Sequence, residues 1–263
     1  MALPGPGVVL DSFGQPAKEA LQAAARLAFR EVELPAVEGD VDPANLSRTG
    51  RRHLLHYVSG LGLQLSALGG DLGGARFADS ASLEWRLEKT RQIIELAAEL
   101  KVPVVTTHLG RVDQQAVERG HVAEVVRELA DMADRTGTFV AIETGGADPA
   151  VLGNLLKQVG APVLGAAYDP AGLLIEGFEP MAGMEPLADR ILNARIRDAV
   201  AGTGSRPGRE TPVGQGQIDF AEYLAMLDQA GYCGTAFIRR TDAERPLDEV
   251  AEAKRRIERL IRR

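Results

Sequence analysis

Eight short runs rich in β-forming residues recur along the chain, each followed by a helical pattern or a loop, and that alternation constrains the fold more than any other feature. The runs lie at 8–12, 31–34, 63–68, 102–110, 138–146, 163–172, 191–199 and 234–240. Apolar residues at helical spacing mark 16–27, 51–60, 84–100, 121–137 and 247–261. Consecutive βα units place parallel strands side by side with helices outside, and eight of them close into a barrel rather than an open sheet. No Pro-, Gly- or Ser-rich linker divides the chain. The pattern therefore predicts an α/β protein made of one (β/α)8 TIM barrel domain over residues 1–263.

Charge and cysteine usage narrow the partners. The net charge is −7 and the Lys and Arg residues are scattered. A phosphate-tracking surface needs them clustered, so no nucleic-acid partner is expected. The longest run without Asp, Glu, Lys or Arg, 53–70, holds two His, a Gln, two Ser and four Gly, which rules it out as a bilayer span. No basic-then-apolar leader follows Met1. Cys233 is the only cysteine, so neither an intrachain disulfide nor a cysteine metal site is expected. These features point to a cytoplasmic protein with a small-molecule partner, no membrane contact and possible homo-oligomerisation.

In such a barrel the chemistry sits where strands end. The polar residues there are Asp11, Ser12, Glu33, His108, Glu143, Asp169, Arg195, Arg197, Asp198 and Arg239. Asn193, Arg195 and Arg197 alternate with Ala194 and Ile196, so the seventh strand carries two guanidiniums on one face. Some of the acids have a second reading, because Asp and Glu after strands cap the next helix or tie loops.

The order of short motifs carries a family resemblance. "VEL" at the second strand, "THLG" at the fourth, "IETGG" at the fifth, "YDPAG" at the sixth, "RIRDA" at the seventh and "GQGQIDFAEYLAMLDQAGYCGTAFI" into the eighth resemble the xylose-isomerase-like barrels. That superfamily holds sugar and sugar-phosphate isomerases and epimerases, inosose dehydratases and endonuclease-IV-type enzymes. The most specific piece is the G-x-G-x-I-D-F run beginning at Gly214. The resemblance implies a divalent cation held by a Glu, an Asp, a His and a Glu on strands five to eight, with the two Glu shuttling a substrate proton. Carried over, the first two positions are Glu143 and Asp169, and both match. The third falls on Arg195 and the fourth on Arg239.

Those two departures change the chemistry. A guanidinium has no lone pair to offer a metal, and two of them repel an approaching cation. No cofactor is therefore expected, with Glu143 and Asp169 as remnant ligand positions. The sequence reading pairs Arg195 and Arg239 with Glu143 and Asp169 in the cation's place, balancing four charges. Glu143 then becomes the candidate base, Arg195 or Arg239 the oxyanion stabiliser, and His108 a second proton carrier or a hydrogen-bonded rim residue. Glu33, Asp169, Arg195, Arg197 and Arg239 are candidate ligand contacts. So are Arg206 and Arg209 in the Gly-rich loop 199–217, placed where barrels often hold phosphate; a solvated loop is their alternative.

Other residues read structurally. Asp219 and Glu222 suggest a helix cap, Asp198 a loop-tying ion pair and Cys233 a small buried residue, while His53, His56 and His121 fall in helical patterns. Phe77 and Trp85, in the loop 69–85, are either a lid wall or packing for the following helix. Three functions stay open: a metal-free isomerase-like enzyme on a small hydroxy-carbonyl compound, a non-catalytic binder of a sugar-like or anionic ligand, and a conventional enzyme using Mn, Mg, Co or Zn with Asn193 or His108 in its shell.

Overall fold

The computed structural model describes residues 3–73, 77, 81–118 and 121–262. Eight parallel strands close on themselves: β1 (Gly7–Val9), β2 (Glu31–Pro35), β3 (Gln64–Gly69), β4 (Val104–Thr107), β5 (Phe139–Glu143), β6 (Leu164–Tyr168), β7 (Ile191–Ile196) and, eighth in the barrel, β10 (Ala236–Ile238). β1 closes the ring by pairing with both β2 and β10. The single (β/α)8 barrel is thus the observed architecture.

The outer helices are α1 (Ala17–Arg26), α2 (Arg48–Gly60), α3 (Leu83–Leu100), α4 (Gln114–Glu118), α5 (His121–Thr136), α6 (Pro149–Val159), α7 (Pro170–Ile175), α8 (Phe220–Gln229) and α9 (Pro246–Ile261). Their starts follow capping chemistry. Ser47 accepts from Gly50 N–H, Asp148 from Ala150 and Val151 N–H ahead of Pro149, and Asp219 from Ala221 and Glu222 N–H, as expected of that residue. Ala20, Ala24 and Leu21 of α1, Ile93 and Ala97 of α3, Val126 and Leu129 of α5 and Ile257 of α9 lie buried on the helix faces turned to the sheet.

The first, fourth, fifth, sixth, seventh and eighth strands are shorter than the sequence pattern suggests, and three of them end for visible reasons. The sixth run stops at Tyr168, because Asp169 turns the chain and its carboxylate accepts from Gly172 N–H at 3.1 Å to cap α7. The seventh ends at Ile196, and a two-stranded antiparallel hairpin, β8 (Asp198–Val200) with β9 (Arg209–Thr211), branches off before α8. The fifth stops at Glu143, followed by the turn through Gly145 and Gly146, whose φ is 88°.

Barrel interiors are usually layers of branched apolar residues. Here, among the described residues, the largest fully buried side chain is Arg195, and Glu33, Thr106, Asn193 and Glu143 are buried with it. No helix among the described residues is long and apolar enough to cross a membrane.

Candidate functional site

The site grows from strand ends around the top of the barrel. Arg195, on β7, makes a two-pronged contact with Glu33 of β2: Nη1 donates to Oε2 at 2.5 Å and Nη2 to Oε1 at 2.8 Å. Nη2 also donates to Oε1 of Glu143, at the end of β5, at 2.6 Å. Two neutral donors complete the Glu33 shell, with Thr106 Oγ1 at 2.9 Å and Asn193 Nδ2 at 3.2 Å. Arg239, just past β10, donates from Nη1 to both Glu143 oxygens at 3.2 and 3.3 Å. Its Nε and Nη2 reach Asp11 Oδ2 at 3.3 and 3.1 Å. A chain of charge, Glu33–Arg195–Glu143–Arg239–Asp11, therefore spans the barrel.

Electrostatics follow from this arrangement. Burial alone would push the Glu143 carboxyl up. The charges of Arg195 and Arg239, with smaller contributions from His108 and the Arg195 hydrogen bond, outweigh it and hold Glu143 well below the usual carboxylate range. Arg195 loses its hydration on burial, yet the charges of Glu33 and Glu143 more than compensate and keep it protonated.

The sequence-based pairing needs one correction. Asp169 is bound by neither Arg195 nor Arg239; its partner is Nη1 of Arg197, and Arg195 takes Glu33 instead. The reason is reach: Arg195 lies in the barrel interior level with Glu33, whereas Arg197 is one pleat nearer the mouth, beside Asp169. Arg197 also donates from Nη2 to Glu210 of β9 at 3.2 Å. Glu210 accepts from Thr241 Oγ1 as well and lies 3.5 Å from Arg240 Nη1, so it pins the hairpin to the barrel mouth. Burial raises the Glu210 carboxyl, but Arg197, Thr241 and Arg240 together lower it. The sequence gives no sign of Glu210, which stands outside any strand end of the barrel.

Asp198 ties a loop, but through the backbone rather than an ion pair. Its buried carboxylate accepts from the N–H groups of Ala199, Gly214, Gly216 and Ile218 at 2.7–3.2 Å. This explains the G-x-G motif: Gly214 has φ 87°, and a Cβ on Gly216 would lie 2.1 Å from Asp198 Oδ1. Arg206 and Arg209 are exposed on the hairpin and do not line the mouth cavity, so the structure does not bring them to the site. Cys233 is exposed, not buried, because it sits in the turn before β10 rather than in the strand. Phe77 is buried and Trp85 is 56% exposed, with Arg86 stacked 5.6 Å from its ring, so Trp85 does not pack beneath α3. Most of the segment between Gly73 and Ala81 lies outside the described residues, and so does the lid reading attached to it.

A cavity of about 440 Å³ opens above this network, lined among others by His108, Glu143, Asp169, Arg197, Arg239 and Thr241. His108 Nδ1 accepts from Gly110 N–H at 2.9 Å, which makes Nε2 the protonated nitrogen of the neutral ring. The ring lies against Gly145 and Gly146, where no side chain intervenes.

The donor set does not fit a divalent cation. Two of the positions expected to donate lone pairs carry guanidiniums, and both remaining carboxylates are bound by guanidiniums. Among the described residues no group of three or more His, Cys, Asp or Glu could hold a metal ion.

A closed parallel barrel with an ionisable cluster at its strand ends defines a (β/α)8 TIM-barrel protein with its candidate site at the mouth. The chain belongs to the xylose isomerase-like TIM barrel family, whose model matches residues 21–262. It is similar to L-ribulose-5-phosphate 3-epimerase UlaE of Salmonella paratyphi C, 29% identical over 256 residues covering 90% of this chain and 87% of that one. A xylose isomerase domain protein from Planctomyces limnophilus superposes with a TM-score of 0.84 at 22% identity, covering 98% of this chain and 96% of that one. A xylose isomerase-like TIM barrel protein from Mycobacterium smegmatis, solved in complex with magnesium, gives 0.77 at 18% identity, covering 98% and 96%.

Proposed function

We propose that this chain is an isomerase- or epimerase-like protein that takes a small hydroxy-carbonyl or polyol ligand at the barrel mouth, with fixed guanidiniums in place of a divalent cation. One observation carries the reading: Glu143 is clamped between Arg195 and Arg239 directly beneath the cavity. A metal polarises a carbonyl oxygen as a Lewis acid; a desolvated guanidinium stabilises the same developing oxyanion by charge and hydrogen bonds. Arg239, partly exposed and lining the cavity, is the group placed to do this.

The proton must then be handled by a group other than a clamped carboxylate. A base works best with a pKa near the operating pH, and Glu143 is held far below it. In this reading Glu143 orients Arg239, and His108 gives up the bond from Gly110 N–H and moves its proton to Nδ1, so that Nε2 takes the proton from the carbon beside the carbonyl and returns it. The electron pair moves onto the carbonyl oxygen, which becomes an enediolate held against Arg239, and return of the proton to carbon restores the carbonyl.

Incubation of purified protein with a panel of ketoses and aldoses in deuterated buffer containing a chelator tests the proposal by NMR. Solvent deuterium should enter the position beside the carbonyl of a substrate, and His108→Gln should abolish the exchange. Binding without deuterium incorporation would favour the non-catalytic reading, which the low basicity of Glu143 supports; activity restored only by Mn or Mg would refute the metal-free reading.

A further inference from the structure

The contact between Arg239 and Asp11 differs in kind from the buried pairs around it. Arg195 meets Glu33 through both carboxylate oxygens at 2.5 and 2.8 Å, and those side chains are 1% and 2% exposed. Arg239 offers Asp11 the same kind of two-nitrogen edge, Nε with Nη2. Only Oδ2 receives it, at 3.3 and 3.1 Å, and the Asp11 side chain is 33% exposed. A guanidinium edge matches a carboxylate bidentately, so this edge is underused. The charge count agrees: Arg195 and Arg239 already balance Glu33 and Glu143, and Asp11 adds a negative charge from the rim.

Asp11 also has somewhere to go. It stands in the short 3-10 turn Leu10–Phe13 after β1, and the residue borders an open groove of about 900 Å³ between α1 and α2. Arg239 borders the mouth cavity instead. The Asp11–Arg239 contact therefore links a residue of the groove to a residue of the mouth cavity. On the cavity side, His108, Thr241, Asp169 and Arg197 supply polar groups suited to hydroxyls.

We infer that the ligand of this site is a polyhydroxylated carboxylate that also carries a carbonyl, and that Asp11 occupies the position its carboxylate takes on the Nε–Nη2 edge of Arg239, leaving the Nη1 side to the carbonyl oxygen. Binding would exchange one carboxylate for another, leaving the charge balance intact and releasing Asp11 toward the groove. The inference rests on the mouth of the barrel being the ligand site, and it adds the chemical class.

Calorimetric titration with matched aldonates and alditols, such as D-gluconate and D-sorbitol, tests it on the wild type and on Asp11→Asn, Asp11→Ala and Arg239→Gln, each first checked for a cooperative thermal transition. The aldonate should bind more tightly than its alditol. Asp11→Ala and Asp11→Asn should tighten the aldonate by about two- to fivefold and leave the alditol unchanged, the size of an exposed ion-pair contact. Arg239→Gln should remove the preference. Equal affinity within the pairs, or no gain in the Asp11 variants, overturns the carboxylate inference while leaving the mouth as a polyol site. If neither class binds any variant, the inference falls together with the reading on which it rests.

Discussion

Replacing Arg195 by Met removes the centre of the charge chain while keeping most of the side-chain volume. Three hydrogen bonds to carboxylates disappear, two from Glu33 and one from Glu143. Glu33 is left with Thr106 and Asn193 as its donors, and Glu143 with Arg239. Breaking a buried ion pair by removing one partner costs about 3–5 kcal/mol, because a charge stays buried without compensation. At about 2–4 °C per kcal/mol for a chain of this size, the melting temperature should fall by roughly 6–20 °C. The sign of the pH dependence follows from Glu143. Its folded pKa lies below the unfolded value of about 4.3, so its contribution is present above that pH and is lost on acidification through the folded pKa. Removing Arg195 raises the folded pKa and shrinks that contribution. The gap between wild type and variant should therefore be widest near neutrality and narrow as the pH falls. Urea denaturation across the pH range measures it, and adding Glu33→Gln to Arg195→Met should recover part of the loss. A cost of less than about 1 kcal/mol at neutral pH, the size of a surface pair, would refute the reasoning.

Asp198→Ala strands the N–H groups of Gly214, Gly216 and Ile218, so it should cost about 3 kcal/mol and speed hydrogen exchange at those amides while leaving α5 protected. Glu210→Gln weakens the tie between Arg197 and the hairpin; hydrogen exchange should rise in β8 and β9 with a loss of about 1 kcal/mol in global stability. Tyr168→Phe removes the buried hydroxyl that donates to Pro180 O and should lower stability by about 1 kcal/mol, read from the denaturation midpoint.

The barrel was legible because its signal is local and repeated: alternation marks strands, helical spacing marks the outer layer, and Asp219 announces a helix start. The positions of Glu143, Asp169, Arg195 and Arg239 were legible for the same reason, since each lies at, just before or just past the end of a barrel strand. The pairing was not. Which guanidinium meets which carboxylate depends on depth along the barrel axis, and that is set by strand stagger rather than by local pattern. The bulge between Ala166 and Ala167 shifts β6 against β7, and such shifts leave no mark in a single run of residues. Glu210 was invisible because its partners, Arg197, Arg240 and Thr241, are assembled by a hairpin whose strands are three residues each. Asp198 was read as an ion-pair residue because charge is visible in sequence and backbone N–H groups are not.

The central claim is that Arg195 and Arg239 fill the place of a cation beside Glu143. Elemental analysis of the purified protein, followed by calorimetric titration with Mn and Mg, tests it most directly. The account predicts substoichiometric metal as purified and no saturable heat on titration. A tightly held divalent ion in stoichiometric amount, lost together with stability when Glu143 is changed to Gln, would contradict it.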